Sequence, residues 1–307
     1  MTNSCKIYYD NEYVSWEIPK QNIENTLIGS RGLLFLNVES AGSINFEDTS
    51  CKIDKNNDKL CDKKMTDKLK YKNGNNDSVL TPLSVVNFHT HPLQCYIDAE
   101  TIWGWPSGED LAQCLSFAED NNLTHIIFAV EGTYVIDVNK KLLNYLLTEK
   151  KLYNTIKKNI EELFKITHKH RMYFNDSNNK ILLEKEIEDY FMRPLNLPPR
   201  ENIMMSWIYL INNLTIQNIY TLSSNFSGYF SKIKKINSYV NLPKQYDNMS
   251  LYHITFFKNN TIQWNNKLSK KDIFKELKSG NKSKNLKIEL PNVIKYKAPF
   301  ISEKCKL

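Results

Sequence analysis

The run V-V-N-F-H-T-H-P, Val85 to Pro92, followed after an excursion by P-S-G-E-D-L, Pro106 to Leu111, constrains the fold more than any other stretch. An apolar run ending in histidines two positions apart reads as a strand, and on a strand His89 and His91 project from one face. After Pro106 and Ser107, residues Leu111, Cys114, Leu115 and Ala118 recur at helical spacing, so a helix is expected over 108–121. If its N-terminus folds back beside the strand end, two imidazoles and one carboxylate converge. His89, His91 and Asp110 are therefore candidate ligands for Zn2+, because three N/O ligands with an open fourth position is the layout of a hydrolytic zinc site. The simpler reading of the helix start is that Ser107 caps it and the acids of its first turn suit the macrodipole. That reading leaves the two histidines unexplained.

His89-x-His91 joined to Ser107-x-x-Asp110 resembles the signature of the JAMM (MPN-plus) zinc metalloproteases, which include deubiquitinases. The resemblance covers roughly residues 25 to 140, and its spacer of fifteen residues, Pro92 to Pro106, is longer than the family's usual one. The resemblance implies an α/β fold, a mixed β-sheet flanked by helices of the cytidine-deaminase-like MPN/JAMM kind. It implies hydrolysis of an isopeptide or peptide bond, with a ubiquitin or ubiquitin-like conjugate as substrate. It gives Ser107 the stabilisation of the oxyanion. It also requires a glutamate base upstream, three positions before a glycine near a strand start.

Two registers compete for that base. Aligning on Gly32-Leu33-Leu34 puts Gly29 where the glutamate belongs, whereas Glu39-Ser40-Ala41-Gly42 has the right spacing and lies fifty residues before His89. Glu39 is the candidate, with Glu47, Asp98 and Glu100 as alternatives. Tyr96, Trp103 and Trp105 in the long spacer either line a groove for an extended peptide or pin the loop to the domain. Cys95, in the same spacer, reads as a small, partly buried residue.

Elsewhere the pattern is coarser. Residues 5–18 suggest a hairpin or two short strands at a sheet edge, and residues 32–48 a hairpin turning at Ser40-Ala41-Gly42-Ser43. Lys52–Asp77, rich in Lys, Asp and Asn, reads as a long surface loop. Residues 126–130 and 133–138 read as a strand pair broken at Glu131-Gly132, with His125 a strand-end residue. From residue 142 the spacing turns helical, ending in His168 and His170, read as a solvated helix C-terminus. A second helix is expected over 180–193, a buried segment over 204–211, a hairpin over 252–264, a helix over 270–278 and a strand over 286–290. The expected division is a JAMM/MPN-like domain over 1–148 and a mainly helical, α+β C-terminal domain over 149–307.

Charge separates those halves. Residues 1–150 carry 14 Lys and Arg against 21 Asp and Glu, leaving 27 against 13 for residues 151–307. The basic half could meet nucleic acid or an acidic partner, or be a solvated lysine-rich surface. No apolar run approaches the roughly 20 residues of a membrane span. The six cysteines lack any C-x-x-C pair and read as reduced thiols. An intracellular, soluble protein of cytoplasm or nucleus is expected. The Asn/Lys-rich composition resembles that of large DNA viruses, which would mean host cytoplasm or virion. The alternative to an enzyme is a non-catalytic MPN-type scaffold in a larger assembly.

Overall fold

The computed structural model describes residues 15–19, 32–53, 55, 59–65, 70–75, 78–98, 104–170, 203–221, 239–258 and 293–297. Its strands are β1 (Ser15–Pro19), β2 (Ser40–Ser43), β3 (Phe46–Ile53), β4 (Lys59–Met65), β5 (Lys70–Asn73), β6 (Val86–His91), β7 (Thr124–Ala129), β8 (Gly132–Val138), β9 (Tyr252–Lys258) and β10 (Val293–Lys297). Its helices are α1 (Leu93–Asp98), α2 (Gly108–Glu119), α3 (Lys140–Thr148), α4 (Lys150–His170), α5 (Ile203–Asn212) and α6 (Ile216–Thr221). One sheet has the order β5-β2-β6-β7-β8-β9 and a second the order β10-β1-β4-β3. In the six-stranded sheet only β6 and β7 run parallel, joined through α1 and α2. The molecule is thus mixed α/β, with a mixed sheet flanked by helices.

The central strands are buried on both faces, and their residues alternate between two cores. Phe88, Ile126, Phe128 and Val135 pack with Leu33, Leu34, Leu93 and Tyr96 on one side. Ile127, Ala129, Tyr134 and Ile136 pack on the other with Leu111 and Leu115 of α2, Leu142 of α3 and Ile156 of α4. Each such aliphatic or aromatic side chain contributes about 1.5–3 kcal/mol by leaving water. Asn87, His89 and His91 alternate with Phe88 and so share the α2 side of β6.

The back half enters the same core. Trp207, Ile208 and Ile211 of α5, Ile216 and Ile219 of α6, and Leu251 and Ile254 join the cluster around α2 and α3. Strand β9 completes the sheet along β8, and the Tyr252 hydroxyl donates to the Leu111 carbonyl at 2.8 Å. The boundary expected at 148/149 therefore falls between two helices whose apolar faces share one core.

Several local expectations are corrected. Residues 33–35 form a 3-10 turn, with both Leu33 and Leu34 buried as consecutive residues on a strand facing one core would not be. The S-A-G-S stretch expected as a turn is β2, set between β5 and β6. A Cβ on Gly42 would come 2.0 Å from the Lys70 carbonyl oxygen and 2.8 Å from the Phe88 ring, so this crossing requires glycine. Most of the described residues in the polar stretch 52–77 are strand: β3 pairs with β4, and the register sets Glu47 opposite Lys64 and Asp48 opposite Lys63. Ladder hydrogen bonds hold strands that carry little apolar surface. Cys51 stands opposite Cys61 in that ladder and is disulfide-bonded, against the expectation of reduced thiols throughout. β1 lies between β10 and β4 rather than at an edge. The expected hairpin arm before residue 15, the helices at 180–193 and 270–278, and the strands at 261–264 and 286–290 lie outside the described residues. No helix among the described residues is long and apolar enough to cross a membrane.

Candidate metal centre

Asp110 is aimed by the start of α2. Ser107 is the N-cap: its hydroxyl accepts from the Asp110 N–H at 3.1 Å, and Asp110 Oδ2 accepts from the Ser107 N–H at 2.6 Å. This reciprocal capping box satisfies two backbone donors that a helix start otherwise leaves open, and it fixes the carboxylate in one rotamer. The far end of α2 is held as well. Asn121 takes the left-handed conformation at φ 68°, and the buried Lys140 ammonium donates to the carbonyls of Ala118 (2.7 Å) and Asn122. A cation at a helix C-terminus also complements the helix dipole.

The strand delivers its two histidines to that carboxylate. His89 Nε2 lies 3.2 Å from Asp110 Oδ1, His91 Nε2 lies 3.5 Å from Asp110 Oδ2, and the two Nε2 atoms are 3.0 Å apart. One ligand atom from each of the three residues falls within 4.8 Å of the others.

The hydrogen bonds behind the rings assign their tautomers. Asn87 Nδ2 donates to the Pro82 carbonyl at 2.9 Å, so Asn87 Oδ1 faces His125 Nδ1 at 2.8 Å and accepts from it. His125 Nε2 is then an acceptor and takes the His89 Nδ1–H at 2.8 Å. His91 Nδ1–H donates to the Gly104 carbonyl at 2.6 Å. Both Nε2 atoms consequently point lone pairs at each other and at a carboxylate. Three electron-rich groups so close are stable only around a shared proton or a cation, and N₂O is a donor set zinc accepts.

The electrostatics agree. Burial pulls the His91 imidazole down, but its hydrogen bond to Asp110, the charges of Asp110 and Glu39 and the Gly104 carbonyl outweigh it and push the pKa up to about 9. Burial works against the Asp110 charge, yet the facing imidazoles hold it well below the usual carboxylate range. Burial, reinforced by the adjacent His89 imidazole, holds His125 well below the usual histidine range, consistent with a neutral ring accepting at Nε2.

Glu39 precedes β2. Ala41 pairs with His89 in the antiparallel ladder, so continuing that register sets Glu39 level with His91 and on the face that carries both imidazoles. The position is pinned by Glu39 N–H to the Asn75 carbonyl (3.0 Å), Gly74 N–H to the Glu39 carbonyl (2.8 Å), and Ser40 N–H to Thr90 Oγ1 (3.0 Å). Glu39 is half-buried, with Oε1 3.8 Å from Cys95 Sγ. The other candidate bases are placed differently. Glu47 is exposed on β3 in the second sheet, and Asp98 is exposed and accepts from Gln94 at 2.7 Å. Glu100 lies outside the described residues, as does Trp103.

The spacer aromatics that are described pin the loop. Tyr96 and Trp105 are buried, and Trp105 stacks on Trp207 with ring centroids 5.5 Å apart and planes 3° apart. Four site residues carried no functional signal in the sequence: Asn87, His125 and Gly104 reach the imidazoles, and Glu131 reaches Gly104, only through strand register and loop packing.

No family model matches the chain, and no solved structure matches it. A stretch of 63 residues is 35% identical to the uncharacterized protein 3R of Frog virus 3 (isolate Goorha). That match covers 20% of this chain and 14% of the viral protein's length.

Proposed function

We propose that this chain is a zinc-dependent isopeptidase or peptidase of the JAMM type, on an MPN-like arrangement, with a ubiquitin or ubiquitin-like conjugate as substrate. The observation that carries this reading is the meeting of His89, His91 and Asp110 on the face where Glu39 stands level with His91. His89, His91 and Asp110 would hold the metal. Zinc bound there supplies Lewis acidity, which makes water nucleophilic near neutral pH. Glu39 takes the proton of the attacking water and returns it to the leaving amine. Ser107 accepts the Asp110 N–H and keeps its own hydroxyl proton, which it donates to the oxyanion as the carbonyl is attacked. The similarity to a Frog virus 3 protein supports a viral setting for this chain.

The test is cleavage of ubiquitin chains by the full chain, with and without a chelator. Glu39→Gln is expected to lower kcat roughly 10²–10⁴-fold while zinc stays bound. Wild-type protein that holds zinc and cleaves no conjugate would instead assign the chain to the non-catalytic interaction modules.

A further inference from the structure

Behind the ligand histidines sits a buried carboxylate that the proposed chemistry does not use. Glu131 occupies the turn between β7 and β8 and is 2% exposed. Its Oε1 accepts from the Gly104 N–H at 2.8 Å and from the Tyr134 hydroxyl at 2.6 Å. Its Oε2 accepts from the Tyr96 hydroxyl, which in turn accepts from the Val130 N–H at 3.0 Å. A carboxylate only accepts, and here three neighbours donate to it.

Two of those donors bracket the long spacer. Tyr96 lies in α1, just after His91, and Gly104 lies at the other end of the excursion, just before Trp105. Glu131 thus ties both ends of the excursion to the sheet. The same glycine whose N–H is held by Glu131 presents its carbonyl to His91 Nδ1 at 2.6 Å. A Cβ on residue 104 would come 2.0 Å from the Tyr96 hydroxyl oxygen and 2.5 Å from Cζ, so the Tyr96 ring packs there only against glycine.

We infer that Glu131 is a positioning residue for His91: through Gly104 it fixes the imidazole with Nδ1–H donated backward and Nε2 facing Asp110 and His89. This rests on the zinc reading above, and it assigns the lengthened spacer a task in building the centre. Orienting partners behind a metal-bound histidine typically change affinity 10–100-fold. Glu131→Gln keeps the shape but replaces one accepting oxygen with an N–H₂, so one of the three donors loses its carboxylate acceptor and the clasp is weakened.

The experiment measures zinc dissociation constants by chelator competition in the full-length protein, for the wild type, Glu131→Gln, Gly104→Ala and the core variant Ile208→Val. The first two variants are expected to bind zinc at least about tenfold more weakly. Ile208→Val should lower Tm and leave the constant within about twofold, which separates positioning from general loosening. Wild-type affinity in both Glu131→Gln and Gly104→Ala would overturn the inference.

A metal-independent readout distinguishes it from the zinc reading. In protein labelled with ¹⁵N-histidine, the His91 Nδ1–H should give a downfield, exchange-protected proton that is lost in Glu131→Gln. If wild type binds no zinc, the zinc reading fails, and this signal still decides the role of Glu131: its loss in the variant supports positioning, and its persistence overturns it.

Discussion

The two ligand imidazoles are held by different kinds of structure. His89 is backed by the sheet itself: His125 is on the neighbouring parallel strand, Asn87 is directly opposite it in register, and the chain of side-chain bonds runs across one face of β6 and β7. His91 is backed by a loop, through Gly104, clasped to Glu131 at a strand turn. A sheet arm is fixed by many ladder bonds and is expensive to displace. A loop arm depends on a few side-chain bonds and one glycine. The comparison teaches that a metal site can draw one ligand's orientation from regular structure while another's is assembled by side chains distant in sequence.

Removing the apex shared by both arms has the largest expected effect. Asp110→Ala or His89→Ala should abolish stoichiometric zinc, measured by elemental analysis after dialysis, and full occupancy in either variant would sink the ligand assignment.

Breaking the sheet arm alone comes next. His125→Leu leaves the His89 Nδ1–H without an acceptor and should weaken zinc roughly 10–100-fold, whereas His125→Gln offers a carbonyl oxygen and should recover most of it. Equal losses in the two variants would show that packing, and not the hydrogen bond, is what His125 supplies.

One step further out, Asn122 Nδ2 lies 3.0 Å from Asn87 Oδ1, 2.8 Å from the Ser84 carbonyl and 3.1 Å from that of Thr124. Asn122→Ala should cost about 1–3 kcal/mol in urea unfolding while shifting zinc affinity less than His125→Leu does. A loss of affinity as large as that of His125→Leu would extend the sheet arm to Asn122.

The smallest effect on zinc lies at the foot of that arm, where Asp137 Oδ1 accepts from the Thr124 hydroxyl at 2.8 Å. Burial raises the Asp137 carboxyl to about 8, with the Thr124 hydrogen bond and Lys140 opposing. A raised carboxyl favours the folded state fully below its ordinary value of 3.8 and loses that contribution as pH climbs to about 8. The wild type should therefore lose stability between pH 5 and 8 through this group, and Asp137→Asn should flatten that part of the profile. Parallel profiles for the two proteins would remove Asp137 from the account.

Much of the site was legible because its signals are local. The apolar run before His89 and the cap-then-periodicity pattern at Ser107 specify β6 and α2 from neighbouring residues alone, and the structure brings their three candidate ligands together. Glu39 was legible only through the resemblance and was opposed by composition, because Ser40-Ala41-Gly42-Ser43 reads as a turn. Those small residues serve a strand squeezed between β5 and β6, where a side chain at Gly42 would meet backbone. The stretch after Lys52 was misread for the converse reason: solvent-facing strands can be held by ladder bonds without the apolar pattern that usually marks them.

By itself, then, the sequence determined the central strand and the capped helix, since each depends on contacts a few residues apart, and it named the three candidate ligands they carry. Only the tertiary structure decided what stands behind them. The pairing of Asn87 with His125, the reach of Glu131 to Gly104 and the stacking of Trp207 on Trp105 join residues separated by 38, 27 and 102 positions. Such pairings follow from strand register and shared burial, which no local periodicity encodes.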